Sequence, residues 1–404
     1  MKTVTYNFKV GNDNGNSEHD LIIDGKLVCQ PNVLSKVRKL PMLDDVNVDG
    51  VVKNVHDNVI VTIDSPECEA GLYFIGRYAK DSGLPLSNIE VGVDNAKVHS
   101  DVILPNTLGQ IAAHAISKAY PELDREIIVN VDMTTALPVT QYTRKNAKDF
   151  AAKFLANDHR LTFHVGAVRV PVRINFDYVK VLPESVPAVF ALQGLKRDKE
   201  STRKTTNEMF KEFNLLYQKD VDGSYFESNK ILHTAIGEGT TEYPLTNDIE
   251  FDPNFIQGSN NGVGHAIEQV LLDFIEQQSL NKFSRQDYSA VLRNPSHKYY
   301  KAAKEMIELP LQSEAESILR FAKREARKAN NEVDILCVHG GGSILLKDFL
   351  YKPLKAFGDA TGIEVLYIPE KYAVSLEVMG MYEFTNSDIF KVLKEKYRKV
   401  KQVV

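Results

Sequence analysis

Cross-linking chemistry is nearly absent from this sequence. Its three cysteines, Cys29, Cys68 and Cys337, are scattered over 404 residues, which excludes a disulfide framework or zinc knuckle and fits a reducing compartment. No run of about eighteen apolar residues occurs, so no membrane-spanning helix is expected. The opening MKTVTYNFKV alternates like a strand rather than reading as a signal peptide. Positive charge is also short. A formal net charge of -5 and a pI near 6.1 give no general attraction to nucleic acid, so any DNA contact is expected to be local or delegated to a partner. Tandem repeats and low-complexity tracts are missing too. What remains, with 43% hydrophobic and 25% charged residues, is a globular cytoplasmic chain long enough for about two to four compact units.

Against that background, Lys230 to Pro244 stands out, because it gathers Gly237, Gly239, Thr240 and Thr241 into a turn between two strand-like runs. Glycine without a Cβ lets main-chain N–H groups press against an anion, and the adjacent hydroxyls add donors. A second polar turn, Val10 to Ser17, sits between the β-rich run Val4, Tyr6, Phe8, Val10 and the run Leu21 to Ile23. The pair suggests two similar halves holding one polyphosphate. Gly and Asn also dominate ordinary β-turns, so each turn alone fits that reading as well.

In chain order, Thr3 to about Gln30 reads as strand, turn, strand and a further turn at Asp24-Gly25, and 31–100 as an irregular inserted subdomain with strands at Val59–Ile63 and Leu72–Ile75. Leu108, Ile111, Ala112, Ala115, Ile116 and Ala119 predict an amphipathic helix over 106–120, followed by a buried strand from Ile127 to Val131. Strands are expected at Leu161–Val165, Val168–Val172 and Phe176–Leu182, with a helix starting at Pro183-Glu184-Ser185-Val186. The mixed-charge stretch 196–204 reads as a solvated crossover. The second half carries its own insertion, about 246–330, with one helix marked by Val263 to Ile275 and another capped by Ser313 with Glu316. The apolar strand Val333 to Val338 ends in His339-Gly340-Gly341-Gly342-Ser343, and the carboxyl end of a buried strand is where open α/β sheets bind ligands. A basic final helix, capped near Ser387, reads as solvated at its end.

With these pieces in order, the chain resembles the actin-like ATPase superfamily, and within it the ParM-type bacterial actins that segregate plasmids. Asp13-Asn14-Gly15-Asn16-Ser17 resembles the family's first phosphate loop, Gly237-Glu238-Gly239-Thr240-Thr241 the second, and Gly340-Gly341-Gly342-Ser343 the adenosine motif. Glu184 falls where bacterial actins carry a water-positioning glutamate, and Val378 to Tyr382 resembles the C-terminal connecting helix. The resemblance implies an α/β, actin-like (ribonuclease H-like) duplicated fold: two halves around a nucleotide cleft, each with an inserted subdomain. Half I would span 1–185, completed by 365–404, and half II 186–364. It further implies ATP, or GTP, with Mg²⁺ approached by Asp13, and Glu184 orienting the attacking water. Polymerisation with copies of itself, hydrolysis that destabilises the filament, and a centromere-binding DNA adaptor follow from the same resemblance, with no membrane partner.

Three positions depart from the family pattern. Ala235 stands for an aspartate that helps hold the metal's water shell, Asp20 for a phosphate-binding lysine, and Glu242 for an aspartate or histidine. These shifts of charge bear on hydrolysis rate more than on binding. Glu238 fits either the metal shell or a solvated turn. A small-molecule kinase of the same fold is the alternative, with Asp132 as its candidate base, and a nucleotide-binding scaffold with little turnover is a third reading.

Overall fold

The structure, a computed structural model, describes residues 2–43, 45–89, 96–156, 158–196, 200–281 and 283–403. The chain divides into two compact units, Met1–Pro183 with Val378–Val404 and Glu184–Glu377. Among the described residues no helix is long and apolar enough to cross a membrane.

The first unit holds strands β1 (Thr3–Asn14), β2 (Glu18–Ile23), β3 (Lys26–Pro31), β4 (Leu34–Val37), β5 (Val59–Ser65), β6 (Cys68–Ile75), β7 (Glu126–Leu137), β8 (His159–Val165) and β9 (Val168–Pro183). Among the described residues they form one sheet in the order β3-β2-β1-β7-β9-β8-β5-β6-β4. The β1–β7 and β7–β9 pairs are parallel, whereas β2, β3 and β8 pair antiparallel with their neighbours. Alternation on β1 puts Phe8, Val10, Asn12 and Asn14 on the buried face. Helix α1 (Ile103–Ala119) fills that side with the fully buried Leu108, Ile111, Ala112, Ala115 and Ile116, the periodic set that marked it in the sequence. Helix α2 (Arg144–Leu155) starts at Thr143, whose hydroxyl accepts the Asn146 N–H at 3.0 Å.

Two expectations change here. Val168–Val172 and Phe176–Leu182 are one strand, β9, with a register shift opposite Val131 and Asp132 in place of a turn. The stretch 31–100 adds to the main sheet, because β5 pairs antiparallel with β8 and carries β6 and β4 outward.

In the second unit, helix α3 (Pro187–Gly194) begins later than expected, with Pro187, not Pro183, in its first turn. Pro183 closes β9, and residues 184–186 are a turn in which Ser185 takes φ +68°. Of the crossover 196–204, residues 197–199 lie outside the described residues, and Glu200–Met209 is helical. The sheet comprises β10 (Lys230–Ile236), β11 (Thr241–Glu242), β12 (Leu245–Asn247), β13 (Glu250–Phe251), β14 (Gly258–Ser259), β15 (Ile335–His339) and β16 (Glu364–Tyr367). β15 lies between β10 and β16, parallel to both. Since β16 belongs to this sheet, the chain returns to the first unit at Val378 rather than at 365.

Helices α4 (Val263–Gln277), α5 (Tyr300–Lys328) and α6 (Gly341–Thr361) build the second core around Ile267, Phe274, Ile307, Ile318 and Leu350. Ser313 does not cap a helix: it lies inside α5, beyond Pro310, and the capping box of this region is Ser284 with Asp287. Helix α7 (Leu376–Asn386) then runs back into the first unit, where its Thr385 hydroxyl meets Val10 O and Thr134 Oγ1. At the end, α8 (Asp388–Val403) is capped by the Ser387 hydroxyl as expected. Its basic residues are not all solvated. Lys394 reaches Asp132 (2.6 Å) and Asp177 (3.0 Å), and Arg398 reaches Asp177 (3.2 Å), tying the helix to β7 and β9.

Candidate functional site

The first polar turn is the tip of the β1–β2 hairpin, where Asn14 pairs with His19 and Asp13 with Asp20. Gly15, Asn16 and Ser17 make the connection, half-buried. Behind the tip lies a buried polar layer. His19 Nε2 donates to Asn12 Oδ1 at 2.7 Å, Asn12 Nδ2 donates to Thr107 Oγ1 at 3.3 Å, and Asn106 Nδ2 donates to Asn32 Oδ1 at 2.7 Å. Asn32 in turn donates to Gly15 O at 2.7 Å, fixing the tip from below. Burial, with the Lys97 ammonium adding to it, holds the His19 imidazole down to about 3, so it is neutral and its tautomer serves this network.

Within this layer Asn106 Oδ1 has no hydrogen-bond partner, and Asn14 has none for either side-chain atom. It is 1% exposed, yet neither its amide nitrogen nor its oxygen has a hydrogen-bond partner, and the Ser17 hydroxyl beside it also has none. A buried amide left unpaired costs ~1–3 kcal/mol, so the turn holds a donor and an acceptor that a bound group would satisfy. Asp13, half-buried on the opposite face, shares that face with its register partner Asp20.

The second turn, Gly237 to Thr240, joins β10 to β11 and is closed by Gly237 N–H donating to Thr240 O at 2.9 Å. Its main chain is held from within. Gly264 N–H, at the start of α4, donates to Glu238 O at 2.7 Å, and His265 Nε2 donates to Gly239 O at 2.9 Å. The Glu238 carboxylate pairs with Arg285 at 2.6 Å, both side chains largely buried, and Arg285 also pairs with Glu268. Glu238 is thus placed against Arg285. The Thr241 hydroxyl, expected as a phosphate donor, is fully buried and donates to Asn261 O at 2.8 Å. Thr240 is half-buried at the tip.

The glycine motif after β15 is brought directly against this turn. A Cβ on Gly340, whose φ is +89°, would lie 2.4 Å from Ile236 O, and one on Gly342 would lie 2.8 Å from Gly237 O. Both glycines therefore serve packing of α6 on β10. Gly341 alone has room, its nearest neighbour being Val374 Cγ2 at 3.7 Å. Ser343 is fully buried, donating its hydroxyl to Gly340 O (2.7 Å) while its carbonyl accepts from Tyr367 (2.6 Å). Within Gly340 to Ser343, expected as the adenosine motif, Gly341 is the position with lateral room.

Glu184 is half-buried in the turn after β9. The next residue, Ser185, is fully buried and donates its N–H to Glu377 Oε2 at 2.8 Å. Among the described residues no three His, Cys, Asp or Glu side chains group as a metal site. Asp132, the candidate base of the kinase reading, is held by Lys9 (2.5 Å) and Lys394 (2.6 Å), which commits it to holding strand and helix together.

Residues 11–186 match the family described as actin-like proteins, N-terminal domain. Among solved structures, actin-like protein Alp7A superposes with a TM-score of 0.70 at 15% identity, covering 98% of this chain and 100% of that one. The chain has the actin-like fold. A second actin-like structure, the archaeal actin homolog Ta0583 in complex with ADP, superposes with a TM-score of 0.59 at 14% identity over 93% of this chain and 98% of that one. The ParM of a 15-stranded filament from Clostridium botulinum gives 0.60 at 16%, over 96% and 99%. Among curated proteins none matches.

Register also joins two residues that the sequence left apart. Ala235 and Glu242, noted separately as departures, are register partners across β10 and β11, and both are buried. Asn12, His19, Asn32, Asn106 and Thr107 were missed as parts of the site. The available signal was the alternation of β1, whose buried face changes from Phe8 and Val10 to Asn12 and Asn14 just before the turn.

Proposed function

We propose that this protein is a nucleotide-dependent, filament-forming actin-like ATPase of the ParM type that drives segregation of plasmid DNA. The observation that carries this reading is Asn14, a buried amide without partners at the tip of a rigidly supported hairpin. Asn14 would hold a phosphate oxygen through its amide N–H, with its own oxygen left to accept a further hydrogen bond. Main-chain N–H groups of Gly15 to Ser17 in the first turn, and those of Glu238 to Thr240 with the Thr240 hydroxyl in the second, would add donors for an anion. Asp13 approaches the metal's water shell. The Mg²⁺-nucleotide, ATP or GTP, supplies the γ-phosphoryl group that is lost on hydrolysis. Glu184 orients the attacking water, and the chain around it sets that carboxylate's position.

The fold shared with Alp7A and the ParM of a filament supports self-assembly, and the ADP complex of Ta0583 supports the nucleotide. Repeated head-to-tail contacts that do not close a ring give filaments. A centromere-binding adaptor takes the DNA contact, consistent with the net charge of -5. Sedimentation and electron microscopy with ATP, GTP and no nucleotide, beside Glu184→Ala, test the reading. Filaments that need nucleotide and persist longer in the variant support it. Absence of assembly under every nucleotide, with ATP consumed only when a small-molecule acceptor is added, contradicts it.

A further inference from the structure

The turn that presents Glu184 is held from a distant part of the chain. Ser185 adopts φ +68°, a left-handed conformation that a residue with a Cβ takes only where its surroundings enforce it, and it is fully buried. The N–H involved belongs to the peptide that joins Glu184 to Ser185, and its acceptor is Glu377 Oε2 at 2.8 Å. A charged acceptor makes this bond roughly twice as strong as a neutral one. Glu377 is itself in the first turn of α7, where the helix dipole favours a carboxylate. Its other oxygen, Oε1, lies 3.8 Å from Nδ1 of His339, a ring with no exposed surface and no hydrogen-bond partner on either nitrogen. His339 is the last residue of β15 and leads into the Gly340 turn, whose N–H donates to Ala373 O at 2.9 Å, a few residues before Glu377.

One carboxylate therefore stands between the Glu184 turn and the glycine turn that opens α6. We infer that Glu377 is a positioning residue for hydrolysis, fixing the Glu184–Ser185 peptide and registering it against the His339–Gly340 turn; the inference rests on the water-orienting reading of Glu184. Glu377 makes no contact with the reacting atoms in this scheme. Its effect passes through Glu184 alone.

That restriction gives the test. Single-turnover phosphate release and equilibrium Mg²⁺-ATP binding are compared for the full chain and for Glu377→Ala, Glu377→Gln, Glu184→Gln and the double variant Glu184→Gln/Glu377→Ala. Glu377→Ala is expected to slow hydrolysis about tenfold while its nucleotide affinity stays within about twofold of the parent. Glu377→Gln, which keeps an acceptor for the Ser185 N–H, is expected to recover most of the rate. The double variant is expected to be no slower than Glu184→Gln. A parental rate in Glu377→Ala beside an inactive Glu184→Gln overturns the inference and leaves the reading of Glu184 standing. Further loss in the double variant, or loss of affinity that matches loss of rate, also overturns it. A parental rate in Glu184→Gln overturns the reading of Glu184 and the inference with it.

Discussion

The two hairpin turns, so alike as sequences, are built on opposite principles. The Asp13–Ser17 tip is supported from beneath by asparagines and a neutral histidine but keeps the Asn14 amide unpaired. In the Gly237–Thr241 turn, internal contacts account for most of the side chains: Glu238 is taken by Arg285, Thr241 by Asn261, and the tip is wedged between Gly264 and Gly342. The first turn keeps a buried amide unpaired, and the second is a frame that packs two helix starts against a strand end. The difference teaches that a Gly-Thr-Thr turn does not have to spend its hydroxyls on phosphate. What it offers from the tip is main chain and Thr240.

Breaking the frame should cost most. Gly340→Ala forces a Cβ into the Ile236 carbonyl at a φ of +89° and is expected to lower unfolding free energy by about 3 kcal/mol in urea melts. Gly341→Ala, whose Cβ would meet Val374 Cγ2 at an ordinary 3.7 Å, should change it by less than about 0.5 kcal/mol. Equal losses at both positions would refute the division of labour among these glycines. Removing the cation beside Glu238 ranks next. Arg285→Ala leaves a largely buried carboxylate without its partner and is expected to destabilise by about 2 kcal/mol, measured by the same melts.

Much of this contrast was invisible in the sequence. Order and type of the motifs were legible because strand alternation and the apolar stripe of Leu108 to Ala119 repeat local rules. The role of Gly340 and Gly342 was not, since it depends on Ile236 lying alongside, a contact between strands far apart in the chain. Ser313 with Glu316 matched a capping pattern that the continuous packing of α5 overrides. Asp132 kept the kinase alternative open until the folded chain placed Lys9 and Lys394 on it. Ala235 and Glu242 became one feature only when register paired them.

Acid sharpens the comparison by touching both turns alike. His19 beneath the first and His339 beside the second are each held by burial at about 3. A histidine neutral in the fold and ordinary when unfolded contributes stability that is full above pH 6.5 and is lost as pH falls toward 3. Between pH 8 and pH 6 the loss should be about 1 kcal/mol for each ring. Thermal melts of His19→Asn and His339→Gln should show a flatter dependence in that window, and an unchanged slope in both would count against neutral buried rings. The smallest stability change is expected at Asn14. Asn14→Ala relieves the cost of an unpaired buried amide but also loses that side chain's packing, two opposed effects of ~1–3 kcal/mol, so the free protein should shift by less than about 0.5 kcal/mol in urea melts.

That same substitution gives the most direct test of the account when nucleotide is present. Isothermal titration of Mg²⁺-ATP into the parent protein and into Asn14→Ala isolates the ligand that the first turn is argued to await. The account predicts saturable binding to the parent and affinity at least about tenfold weaker in the variant, since a hydrogen bond to a charged phosphate is lost. Equal affinity in the two proteins, or no binding to the parent, would contradict it.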